Sequence, residues 1–116
     1  MKTKLFVDKI VALLDDKKAE DIVTLHVRDM TSVTDYMIIA SGNSGPQIKA
    51  LANYVHDEAK KDGVEILGME GTESNEWVLV DLGSVIVHLM QPETRSYYEL
   101  ERLWNLKPGD ETKEGI

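Results

Sequence analysis

Residues 76–104 read EWVLVDLGSVIVHLMQPETRSYYELERLW, and this stretch decides the fold. Two runs rich in valine, leucine and isoleucine flank Asp81, Leu82, Gly83 and Ser84. β-Branched and aliphatic residues on both sides of a glycine-containing reversal predict a β-hairpin. Gly83 can take the positive φ that such a turn needs. Pro92 cannot donate to a strand ladder, but its fixed φ suits the first turn of a helix. Tyr97, Leu100 and Trp104 then recur at helical spacing. The stretch holds both tryptophans of the chain and two of its four tyrosines. Nothing in it is a catalytic pattern. It reads as a surface built to be held.

Strand alternation places Trp77 and Leu79 on one face of the hairpin, and Val78 and Val80 on the other. The register is open. A two-residue loop of Leu82 and Gly83 sets Trp77 opposite His88 and Leu79 opposite Ile86. A three-residue loop of Asp81, Leu82 and Gly83 with a glycine bulge changes the parity. Trp77 itself has two readings, a core residue or an interface anchor, since tryptophan serves both.

Working upstream, residues 4–17 are periodic, with Phe6, Ile10, Leu13 and Leu14 on one helical face. Residues 21–28 read as a strand in which Val23, Leu25 and Val27 alternate with Ile22, Thr24 and His26. Residues 36–40 form a continuous apolar run, the mark of an interior strand. The loop Ser41, Gly42, Asn43, Ser44 follows. Ser44 suits an N-cap and Pro46 the first turn of a helix. Ile48, Leu51, Ala52, Val55 and Ala59 trace that helix to a stop near Gly63. A short strand is expected over residues 64–67 and a loop over 68–75. The order helix, strand, strand, helix, three strands, helix predicts a single α/β domain with one mixed β-sheet and helices packed against it. The domain is expected over residues 1–105. Residues 106–116 are expected to be a polar, frayed tail.

At 116 residues the chain is long enough for one core. A net charge of −8 argues against a nucleic-acid binder that neutralises phosphates, and permits a basic protein partner. The absence of cysteine removes disulfides, thiol catalysis and cysteine-ligated zinc. No apolar run reaches membrane-spanning length. Asp8, Asp15, Asp16 and Glu20 make the first twenty residues unlike a targeting peptide. A cytoplasmic location is the simplest expectation.

Candidate chemistry is thin. The loop from Ser41 to Ser44 could cradle a phosphate, but it lacks the Walker lysine ending, and a capped strand-to-helix turn is the better account. Nucleotidyl transfer would need clustered carboxylates to hold magnesium. The first acids downstream, Asp57 and Glu58, lie within an amphipathic helix, and Asp81 has no carboxylate two residues away. His26, His56 and His88 show no metal-ligand spacing. Asp35 is expected to bond nearby backbone N–H groups, with Tyr36 entering the sheet. Arg95 and Arg102 could pair locally with Glu99. No motif calls for a cofactor or a metal.

Residues 77–83 (WVLVDLG), 85–90 (VIVHLM) and the pattern P-E-T-R-x-Y-Y-x-L-E-R-L-W from Pro92 resemble the ribosomal silencing factor family, also called Iojap-like. Asp21, Ile22 and Val23, then Thr34, Asp35, Tyr36 and Met37, then Ser41, Gly42, Asn43 and Ser44 fall in the family's order. The resemblance implies a nucleotidyltransferase-like α/β core, and the missing carboxylate cluster makes the expected protein non-enzymatic. It also implies binding to the large ribosomal subunit through its fourteenth protein, which obstructs joining of the small subunit. It moves Trp77 toward the anchor reading. Trp77, Leu79, Asp81, Leu82, His88, Tyr97, Tyr98 and Trp104 are then the expected partner-binding residues. The alternative is a nucleotidyltransferase-like enzyme using the loop from Ser41 to Ser44. A homodimer through the same apolar surface is a third reading.

Overall fold

The computed structural model describes residues 2–98, with side chains over residues 3–96. In chain order the elements are α1 (Lys2–Asp16), β1 (Glu20–His26), β2 (Tyr36–Ser41), α2 (Gly45–Lys61), β3 (Gly68–Glu70), β4 (Trp77–Asp81), β5 (Val85–Met90) and α3 (Pro92–Tyr98). The strands form one mixed sheet in the order β1-β2-β5-β4-β3. Only the central pair, β2 with β5, is parallel; the others are antiparallel. This is the single-domain mixed α/β architecture that the sequence predicts.

Both long helices pack on one face. Val7, Ile10 and Leu14 from α1 join Ile48, Leu51, Ala52, Val55 and Ala59 from α2 over Ile38, Ala40, Val78, Val80, Val85, Val87 and Leu89. The helical periodicity of each segment supplies that apolar stripe. Ser44 caps α2 as expected: its backbone is extended, and its hydroxyl accepts from the Gln47 N–H. A second apolar cluster occupies the opposite face. It consists of Leu25, Val27, Met37, Ile39, Ile86 and Met90, with Val23, Trp77 and Leu79 partly buried against it. Neither α1 nor α2 contributes to this cluster.

Two expectations need correction. The edge strand lies at β3, within the segment expected to be a loop, and residues 64–67 have no regular structure. Gly68 pairs with Asp81, so residues 64–67 would have to pair with the hairpin turn, where no ladder exists. Val64 and Ile66 still pack on the first cluster, which accounts for their apolar alternation. The hairpin register matches neither loop considered. The Leu82 N–H bonds the Val85 carbonyl at 2.9 Å, leaving Gly83 and Ser84 as the two-residue connection. Gly83 has φ +84, and the Asp81 carboxylate accepts its N–H at 3.0 Å. Trp77 therefore lies opposite Met90 and Leu79 opposite His88, a shift of two residues that preserves facing.

Candidate functional site

β4 and β5 bring Trp77, Leu79, Ile86, His88 and Met90 to the second face of the sheet, because the register keeps them in phase. His88 is the buried polar member, 4% exposed among leucine, isoleucine and methionine side chains. Trp77 is a diagonal neighbour and donates its indole N–H to His88 Nδ1 at 3.0 Å. The rings lie 5.9 Å apart at 45°. Burial pushes the imidazole down to about 4, so it is neutral at pH 7. A neutral ring accepting at Nδ1 must carry its proton on Nε2. That Nε2 is buried and has no hydrogen-bond partner among the described residues.

The backbone that carries Trp77 is tightly held. Gly71 has φ +85, and a β-carbon there would stand 2.0 Å from the Trp77 carbonyl oxygen. Gln91 fixes the same end from the other strand: its N–H bonds the Glu76 carbonyl, and its side-chain amide bonds the Asn75 carbonyl. At the far end, Asp81 continues the alternation onto the second face but spends one carboxylate oxygen on the turn.

α3 begins beside this face. Ser41 shares the phase of Met37 and Ile39, and its hydroxyl accepts from Arg95 Nη1 at 2.8 Å. Arg95 is 8% exposed, so this is a buried, charge-assisted bond between residues 54 apart in sequence. Glu99 and Arg102, the residues of the expected local helix pairs, lie outside the described residues.

The loop from Ser41 to Ser44 is engaged throughout. Ser41 accepts from Arg95, Gly42 N–H bonds the Met90 carbonyl, Asn43 N–H bonds Gln47 Oε1, and Ser44 caps α2. Among the described residues, no three His, Cys, Asp or Glu side chains converge as metal ligands. His26 stacks on Tyr36 with centroids 4.7 Å apart. Asp35 pairs with the Arg28 guanidinium at 3.2 Å in place of the backbone bonds expected of its side chain.

Of the expected partner-binding residues, the structure brings together Trp77, Leu79 and His88, with Asp81 at their edge. Leu82 is not among them. It continues the phase of Val78 and Val80, and is buried at 4% exposure in the helix-covered cluster. Tyr97 and Tyr98 end α3, with side chains outside the description; Trp104, the rest of the expected final helix and the tail at 106–116 lie outside the described residues. Sequence reasoning missed the Ser41–Arg95 bond, which no local spacing signals, and the Trp77–His88 bond, although one of the loops considered put the two on a common face.

One mixed sheet, with its long helices on one side and a tryptophan-bearing hairpin turned to the other, defines a small α/β domain organised around a sheet face. The chain belongs to the ribosomal silencing factor family: the family model for RsfS, ribosomal silencing factor during starvation, matches residues 2–115. It is 43% identical over 108 residues to the Bacillus subtilis ribosomal silencing factor RsfS, spanning 93% of this chain and 92% of the relative. A crystal structure from Chromobacterium violaceum superposes with a TM-score of 0.86 at 46% identity, covering 90% of this chain and 87% of that one. A mouse relative named mitochondrial assembly of ribosomal large subunit protein 1 is 37% identical over 113 residues, 93% of this chain and 49% of its own length.

Proposed function

We propose that this chain represses translation by occupancy, without catalysis. It binds the large ribosomal subunit in the cytoplasm through that subunit's fourteenth protein, and its bulk keeps the small subunit from docking. Family membership supports the silencing role, and the name of the mouse relative supports a large-subunit partner. The single observation that carries the reading is the Trp77 side chain, partly buried on the sheet face opposite α1 and α2. A tryptophan held at the margin of an apolar face is the usual anchor of a protein interface. Leu79 extends the apolar surface, and Glu70 and Asp81 give it an acidic edge suited to a basic partner. A standard interface of about 1,600 Å² is within reach of a domain this size. The engaged loop from Ser41 to Ser44 has a structural role, which supports leaving catalysis out.

The test is sedimentation with separated ribosomal subunits. The protein should pellet with large subunits and lower the yield of joined ribosomes. Trp77→Ala should lose roughly 30-fold in affinity, the equivalent of about 2 kcal/mol at an anchor. Equal pelleting with small subunits, or normal joining at saturating occupancy, would sink the mechanism.

A further inference from the structure

We infer that His88 is the positioning residue of the partner surface: it fixes the Trp77 indole in one pose by accepting its N–H. The inference rests on the reading of Trp77 as an anchor. An aromatic anchor binds best when its rotamer is set beforehand, because ordering it on contact weakens association. Trp77 is partly buried against its cluster, and His88 adds a directed bond to that packing. His88 is itself buried, directly opposite Leu79 on one side and Ile39 on the other. Its Nδ1 meets the indole N–H at 3.0 Å.

The choice of residue points the same way. Apart from Trp77, the other members of this apolar cluster are leucine, valine, isoleucine and methionine, and one of those at position 88 would bury no polar atom of its own. The imidazole instead leaves its Nε2 without a partner among the described residues. A buried unpaired donor is destabilising, so packing does not explain a histidine here. The bond to Trp77 does. Desolvation keeps the ring neutral, so the Nδ1 lone pair is available throughout the physiological range.

The experiment compares His88→Leu, which keeps bulk and removes the acceptor, with His88→Asn, whose amide oxygen can replace Nδ1. Three quantities are read on the full chain. They are the Trp77 indole N–H resonance, assigned with Trp77→Phe; the affinity for large subunits; and the unfolding midpoint. In His88→Leu the resonance should move upfield and exchange faster with water, and affinity should fall about fivefold, the equivalent of one net hydrogen bond. His88→Asn should stay within about twofold of the parent in affinity on the same scale. In a Trp77→Phe background, which has no indole N–H, His88→Leu should change affinity no further. If His88→Leu does not fold, His88→Phe serves as the acceptor-free variant. An unchanged indole resonance overturns the inference. So does parental affinity in His88→Leu while Trp77→Ala binds weakly, an outcome that leaves the anchor reading intact. If Trp77→Ala itself binds normally, the anchor reading fails and the role of His88 fails with it.

Discussion

His88 makes the stability of the domain depend on pH in a defined window. Burial lowers its folded pKa to about 4 from an ordinary value of 6.5. Between those values the unfolded chain holds a proton that the folded chain rejects. The contribution is therefore complete above pH 6.5, declines as the pH falls toward 4, and levels off below. Its size is on the order of 3 kcal/mol. Urea unfolding of the parent and His88→Leu at several pH values between 7 and 4 checks this. The parent should lose stability more steeply than the variant, and parallel curves would contradict the burial argument. Gly71 is the second decisive residue. Its positive φ disfavours any β-carbon, and the Trp77 carbonyl leaves no room for one. Gly71→Ala should therefore destabilise by at least about 2 kcal/mol, since left-handed strain and a backbone shift add. A urea midpoint within error of the parent would show that the loop from Gly71 to Asn75 yields freely.

At the level of elements, the sequence carried what is local. Apolar periodicity located α1 and α2, alternation located the hairpin faces, and Ser44 with Pro46 marked the start of α2. The failures are non-local or depend on turn chemistry. Asp81 bonds the Gly83 N–H and moves the reversal one residue onward, to Gly83 and Ser84, so the register slid by two. β3 forms where β4 offers a ladder, and nothing within residues 64–75 encodes where β4 ends. The second sheet face was legible through Trp77 and Leu79, whereas Leu82 was misplaced because the hairpin continues one pair further than expected. Arg95 is the clearest case of a contact invisible in sequence. It ties α3 to the end of β2 through Ser41. Arg95→Met should destabilise by about 2 kcal/mol, the scale of a hydrogen bond to a charged group. Ser41→Ala should reproduce part of that loss by the same measure. An Arg95→Met midpoint equal to the parent's would show that the bond adds nothing to the docking of α3.

At the scale of the whole molecule, the net charge of −8 is spread over a small surface and sets how the chain meets other macromolecules. Salt should weaken large-subunit binding by slowing association, with little change in the dissociation rate, because screening acts on approach more than on a seated interface. Stopped-flow measurements across a potassium chloride series would show this, and a salt-independent association rate would remove the electrostatic part of the proposal. One further consequence lies in the parallel pairing of β2 with β5. β1 with β2 and β4 with β5 are antiparallel neighbours that form from nearby sequence. The join between these halves links Tyr36 to Val85 and Ser41 to Met90. During synthesis the inner edge of β2 must therefore wait, apolar and unpaired, until Met90 has been added. Such delayed, long-range pairing slows folding and leaves an edge open to wrong partners. A chain proposed to keep ribosomes idle thus depends on its own ribosome finishing all five described strands before the sheet can close.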